Sequence, residues 1–532
     1  MKRKTLTTAV LAGLTGVAGM VGVSNAVNLN PDGLGQVLLY PYYTARGGND
    51  TLISVVNTTS DAKAVKIRFV EALNSQEVLD FNIYLSAFDV WSAAITGNDD
   101  GGASLLVTDT TCTVPYFYGA SSPEAAVVDF LPFQFQGDGG VQDIERTASG
   151  HFEIIEMGTL VDGNGVDLGR NSATAATHVD GVPAGCQQLV DAWTSFPAGT
   201  GGGEDGADSY WVAGDGDDNA DDGNTVDLLS PSGGIFGGAS IINVADGVMF
   251  SYNATAIDGF SDSVSHTNPG SLLPNLNGGR QVSNVFANGA VQTDTWMTGI
   301  EAVSATILFD TVMNEYVVNP NIGARSEWVL TFPTKRAYVD PASAVFASAD
   351  VPQAPFTVAW NEVVDAEAGT TTGTACEPVG FSFWNREETV PGEGPAPAPG
   401  VPIVSPPPPE VTPPPPDTFS LCFESNVLRF SGSEDIPETT EILKETRFTT
   451  FPVADQGFVS GWTRFEFNTT DTTVPVHATR VTAEGNQFFG LPVIGFWVNT
   501  FSNGQLEGAN VLSNYGGTFQ HRGSRRVEPA AP

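Results

Sequence analysis

Residues 51–96, TLISVVNTTSDAKAVKIRFVEALNSQEVLDFNIYLSAFDVWSAAIT, decide the reading of the fold. Apolar runs rich in Val, Ile and Phe are interrupted at TTSDAK and NSQE, both turn-forming, so the stretch reads as three strands. In the third, Leu79, Phe81, Ile83 and Leu85 alternate with Asp80, Asn82, Tyr84 and Ser86. A period of two predicts one buried face and one wet face, and the succession predicts an antiparallel meander.

Working outward, similar strands are predicted at 151–158, 239–253, 302–310, 327–339, 379–388, 461–468 and 491–501. Asn288-Gly289 and Asn503-Gly504 fall where tight turns belong, because both residue types tolerate positive φ. Helical signals are confined to SPEAAVVDFL (122–131) and GCQQLVDAW (185–193), where Leu189, Val190 and Trp193 can share a face. The expected fold class is all-β: antiparallel β-sandwich (Ig-like) modules with long acidic and proline-rich loop insertions. A chain of 532 residues exceeds what one core serves. It divides into 27–235, with a Gly/Asp-rich insertion at 197–227, and 236–532, with a proline-rich loop at 390–417. Neither insertion carries enough apolar surface to pack by itself.

The first 26 residues combine a basic start (Lys2, Arg3, Lys4), an apolar middle and small residues Ser24 and Ala26, the pattern of a secretory signal peptide. No later stretch reaches the ~20 apolar residues of a spanning helix. The expected location is therefore outside the cytoplasm: cell surface, extracellular space or periplasm. Against 61 acidic residues stand 22 basic ones, a net charge of −39, which repels phosphate backbones and excludes nucleic acid as a partner.

Cys112, Cys186, Cys376 and Cys422 in an exported chain, with no CxxC pair, predict two disulfides. Three connectivities are possible. Cys376 precedes the strand VGFSFWNREE, Cys422 lies in FSLCFESNVLRF, and the proline run falls between them. If those strands are hairpin neighbours, Cys376–Cys422 staples the base of a proline-rich excursion and Cys112 pairs with Cys186. Closing a loop of that length stabilises by about 4 kcal/mol in the chain-entropy model.

Motif-borne chemistry is missing. There is no G-x-S-x-G elbow, no H-E-x-x-H, no phosphate loop, and the histidines (His151, His178, His266, His477, His521) are scattered. Among paired carboxylates, Glu153 and Glu156 point to opposite faces of one strand, and adjacent Glu387 and Glu388 also diverge. The densest oxygen-ligand pattern is DGDDNADDGNTVD (215–227). Asp215, Asp217, Asn219 and Asp221 could direct hard oxygens at one Ca²⁺, although Ala220 and Val226 stand where an EF-hand loop needs Gly and Glu. Trp211 beside it is a candidate sugar-binding platform.

The segment GQVLLYPYYTARGGNDTLISVVNTTSDAKAVKIRF with its continuation to Ile95, together with HFEIIEMG, SIINVADGVMFSYNATAI, EWVLTFPTKRAYVD and LPVIGFWVNTF, resembles a group of secreted Gram-negative proteobacterial proteins loosely called cell-surface proteins. The resemblance implies export and a place at the outer surface, with no catalytic residues to carry over. The expected function is a non-catalytic surface or matrix β protein serving structure, adhesion or assembly, in contact with other surface components or with itself. Two alternatives stand beside it: a secreted polysaccharide-active enzyme using carboxylates, and a binding module for sugar or an apolar ligand.

Overall fold

The computed structural model describes residues 26–117, 126–163, 171–194, 210–212, 223–343, 345–347, 350–365, 370–387, 418–431, 437–451, 453, 458–468, 476–502 and 514–530. These residues are mostly β, in several mainly antiparallel sheets.

Two sheets share the first core. One runs Ala290–Thr295, Val282–Ala287, Val27–Leu29, Thr255–Asp258, Val37–Thr44, Ser149–Leu160, Ala62–Glu71, Glu77–Leu85 and Cys112–Val114, with Leu228–Leu229 beside Ser149–Leu160. The other runs Val248–Asn253, Ile235–Asn243, Asn49–Asn57, Val90–Gly97, Ala103–Val107 and Ala126–Asp129. Both sheets therefore draw strands from either side of residue 235.

The stretch 51–96 takes part in four strands, and it is not a simple meander: 62–71 pairs with 77–85 in one sheet, while 49–57 pairs with 90–97 in the other. Buried Asn57 pins both crossings, donating from Nδ2 to Asp61 O (2.7 Å) and to Ser86 O (2.8 Å). The face of 77–85 expected to be wet is also covered. Asn82 donates to Thr267 O at 2.8 Å, and Tyr84 OH meets His266 Nε2 at 3.0 Å and accepts from Trp193 Nε1 at 2.8 Å. Segments laid over the sheet thus supply partners for the Asn82 amide N–H and the Tyr84 hydroxyl, while Asn82 Oδ1 is left without one.

Strand Val37–Thr44, VLLYPYYT, is buried along its whole length. A proline is tolerated in this central strand because the pairing with 149–160 slips at that point, Tyr43 facing Gly150 and Tyr40 facing Phe152. The bulge frees the Pro41 carbonyl to accept from Thr331 Oγ1 at 2.6 Å, a link to the other half of the molecule.

That second half has its own pair of sheets. One runs Thr418–Leu421, Glu377–Asn385, Ser460–Glu466, Thr311–Val317 and Arg522–Ser524; the other runs Phe448–Phe451, Ser425–Phe430, Ala324–Thr331, Ile494–Phe501 and Tyr515–Gln520. Trp328, Phe381, Phe430, Phe451 and Phe465 fill the space between them. The latter sheet turns Val329, Val427, Phe496 and Val498 onto the first core, joining the two halves through apolar contact.

Three local expectations are corrected. Residues 126–129, read as helical, are an edge strand beside 103–107. The strand expected over 302–310 is largely replaced by a helix, Gly299–Thr306: Thr298 and Glu301 form a capping box, and the helix is buried along its whole length. The strand expected over 327–339 stops at Thr331, and Lys335–Val339 is a short helix. The helix at Cys186–Asp191 and the Asn288-Gly289 turn, with φ of 54° and 79°, form as expected.

Both disulfides join as the hairpin argument requires, Cys112 to Cys186 and Cys376 to Cys422. Glu377 faces Leu421 across the hairpin, so the second bridge closes its open end. The proline-rich stretch 390–417 and the core of the acidic insertion lie outside the described residues. Unfolded without reductant, the protein is expected to present no alkylatable thiol; four would overturn the pairing.

Candidate binding face

Several charged side chains of this acidic chain are buried and paired. Glu156 takes Lys63 Nζ at 2.8 Å and the backbone N–H groups of Ser232 and Gly233. Glu153, on the opposite face of the strand, is bound to Arg68, which also holds Glu77 at 2.6 Å. The two carboxylates do point to opposite faces, and both are interior counter-ions. Burial pushes both their carboxyls up, against the pull of Lys63 and Arg68. Glu387 is exposed, and Glu388 lies outside the described residues.

Asp215, Asp217, Asn219 and Asp221 also lie outside the described residues. Among the described ones, no group of three or more His, Cys, Asp or Glu is placed to hold a metal ion. Trp211 is not a platform. It is 1% exposed, stacked on Tyr84 at 5.3 Å and wedged against Trp193, Tyr210 and His266, with Nε1 donating to Val226 O. An indole among four rings gains more from packing than from solvent. The histidines serve structure in the same way: His477 lies between Pro355 O and Pro378 O, and burial drives His151 and His266 to about 3.

The aromatic surface lies elsewhere. On the sheet 377–385/460–466/311–317, Val379, Phe381 and Phe465 point inward. Strand alternation therefore sends Trp384, Trp462, Arg464 and Glu466 to the outer face. Trp384 and Trp462 sit directly opposite one another and stack at 4.1 Å with planes 12° apart. Such a cross-strand aromatic pair contributes roughly 0.5–1.5 kcal/mol beyond its burial. Trp462 is 38% exposed. The Arg464 guanidinium lies 5.4 Å from the Trp384 ring centre, pairs with Glu466, and keeps a buried Nε without a hydrogen-bond partner. Glu315 extends the tryptophan row, and Met313 and Arg522 extend the arginine row.

The parity of Trp384 against Phe381 and of Trp462 against Phe465 was readable from sequence. Their meeting was not, since it depends on a register between strands 78 positions apart. Two recesses complete the surface. A small crevice is lined by Phe309, Val312, Ile494, His521 and Arg522. A polar cleft is lined by Asp246, Arg325, Glu441 and Lys444, where Lys444–Asp246 and Arg429–Glu441 are already paired.

No family model, curated protein or solved structure matches the chain. No helix among the described residues is long and apolar enough to cross a membrane.

Proposed function

We propose that this is an exported, non-catalytic protein of the cell surface or extracellular matrix, built of sandwich-type β modules, that adheres to polysaccharide through the outer face around Trp384 and Trp462. The stacked, partly exposed tryptophan pair carries the reading. A flat indole surface suits the C–H face of a sugar ring. Each sugar hydroxyl both donates and accepts, and the adjacent Arg464–Glu466 pair offers both capacities. The strongly negative charge of the chain favours an uncharged polymer over an anionic one.

The test is retention on a panel of neutral and acidic polysaccharides, comparing the wild type with Trp462→Ala. The neutral polymers are expected to retain the wild type, and the variant to lose at least about tenfold in affinity, the scale of an aromatic hot spot, with its melting midpoint little changed. Equal retention of the two proteins, or no retention of either, would overturn the assignment.

A further inference from the structure

The outer face of strands 62–71 and 77–85 holds a buried group whose geometry exceeds that of an ion pair. Lys66 and Asp80 are diagonal neighbours across the two strands, since Lys66 faces Asn82 and Arg68 faces Asp80. Lys66 Nζ lies 3.3 Å from Asp80 Oδ1, with side-chain exposures of 0% and 4%. Its other contacts are two backbone carbonyls, Asn268 O at 3.0 Å and Ser271 O at 3.2 Å. Asp80 Oδ1 and these two carbonyls accept the three ammonium hydrogens; once the proton facing Asp80 is removed, the carbonyls hold the remaining two and the lone pair faces the carboxyl. The Gly270 N–H donates to Asp80 Oδ1 at 2.8 Å, where a tetrahedral oxyanion would need a donor. A third group stands beside the site: the Glu77 carboxyl, 1% exposed, with the Asp80 carboxyl among the neighbours that raise it. Glu77 Oε1 is buried without a hydrogen-bond partner, while Oε2 takes Arg68 Nε.

We propose that Lys66 and Asp80 become joined by an amide bond that the folded protein forms itself, with Glu77 carrying the proton. Transfer of one proton within the group converts ammonium and carboxylate to amine and carboxylic acid. The amine attacks Asp80 Cγ, Oδ1 takes the charge against the Gly270 N–H, and Glu77 receives a proton from Nζ and returns one to Oδ2, which leaves as water. A C–N bond forms, a C–O bond breaks, and no oxidant or co-reactant is consumed. Burial favours the neutral forms that the step needs: it lowers the Lys66 ammonium against the pull of Asp80, and raises Glu77 to about 7 against the pull of Arg68. Fixed neighbours in a closed site replace the activation that free amines and acids require. The other buried lysine pair, Lys63–Glu156, has hydroxyls and backbone N–H groups around it but no second carboxyl.

The experiment is mass spectrometry of the exported, folded protein after reduction and unfolding. The expected mass is one water below that of the mature sequence, and trypsin is expected to leave Lys66 uncut and to release its peptide joined to the one bearing Asp80. Cleavage after Lys66, with both peptides at full mass, would overturn the proposal and leave an ion pair. Lys66→Arg, which keeps the charge, is expected to restore the full mass. Glu77→Gln is expected to abolish the link while Lys66 and Asp80 remain. A joined peptide in that variant would remove Glu77 from the mechanism.

Discussion

Replacing Arg146 by methionine is expected to lower the unfolding free energy by about 3–5 kcal/mol, read as a lower urea midpoint at unchanged slope. The guanidinium is fully buried, bound to Glu71 Oε1 at 2.8 Å, Asp138 Oδ2 at 2.6 Å and Val141 O at 3.1 Å, with Phe135 beneath it. Glu71 in turn accepts the backbone N–H groups of Leu73, Asn74 and Gln76, so it shapes the turn between two central strands. Burial alone would raise the Glu71 carboxyl, but Arg146 and those N–H groups outweigh it and hold it below the ordinary range. Methionine fills much of the volume and leaves two carboxylates facing each other without a cation. The destabilisation therefore comes from uncompensated charge, and Arg146→Met combined with Glu71→Gln should recover part of it. A loss under about 1 kcal/mol for the single variant would show that the network is solvated, contrary to its burial.

Glu424→Gln is expected to have the opposite sign, stabilising at alkaline pH by several kcal/mol while changing little near pH 5. Glu424 sits in the link between strands 418–421 and 425–430, which docks against the turn Leu73–Ser75, its own N–H donating to Leu73 O at 3.3 Å. Burial pushes its carboxyl from 4.5 up to about 8, against the pull of Lys335 and Ser75, and Oε2 has no partner. A native pKa above the unfolded one means that the folded state holds a proton which the unfolded state has released. Stability is thus fully present below about 4.5 and is lost as pH rises toward about 8. Glu327, raised to about 7 by burial against the N–H groups of Leu443 and Ile442, acts in the same direction. Glu71, Glu441 and Glu445, all lowered, act in the other: their contribution is lost as pH falls through their native values. The urea midpoint of the wild type should therefore peak in mildly acidic solution and decline toward pH 9, with the decline flattened in Glu424→Gln. Parallel profiles for the two proteins would sink the assignment.

Much of the local structure was legible because it depends on neighbours in sequence. Alternation located strands such as 77–85, 151–158, 461–466 and 494–501, the Asn288-Gly289 pair placed a turn, and the proline-rich stretch between Cys376 and Cys422 pointed to the hairpin whose end the disulfide closes. The errors share a cause. Residues 302–306 carry apolar character suited to either strand or helix, and the Thr298–Glu301 cap together with burial on all sides decided for helix. Trp211 lay beside an acidic, glycine-rich stretch and read as exposed, whereas Tyr84, Trp193 and His266 enclose it.

By itself the sequence determined a β-rich chain, its charge and the alternation within strands such as 77–85, since these follow from composition and a period of two; the cysteine pairing stayed conditional on which strands are neighbours. Tertiary structure alone decided which parities meet. Trp384 stacks on Trp462, Lys66 reaches Asp80, and Arg146 reaches Glu71, because strand register and chain crossings bring together residues from 14 to 78 positions apart. Local propensity carries no information about register between distant strands, which is settled only when the whole hydrophobic pattern is buried at once.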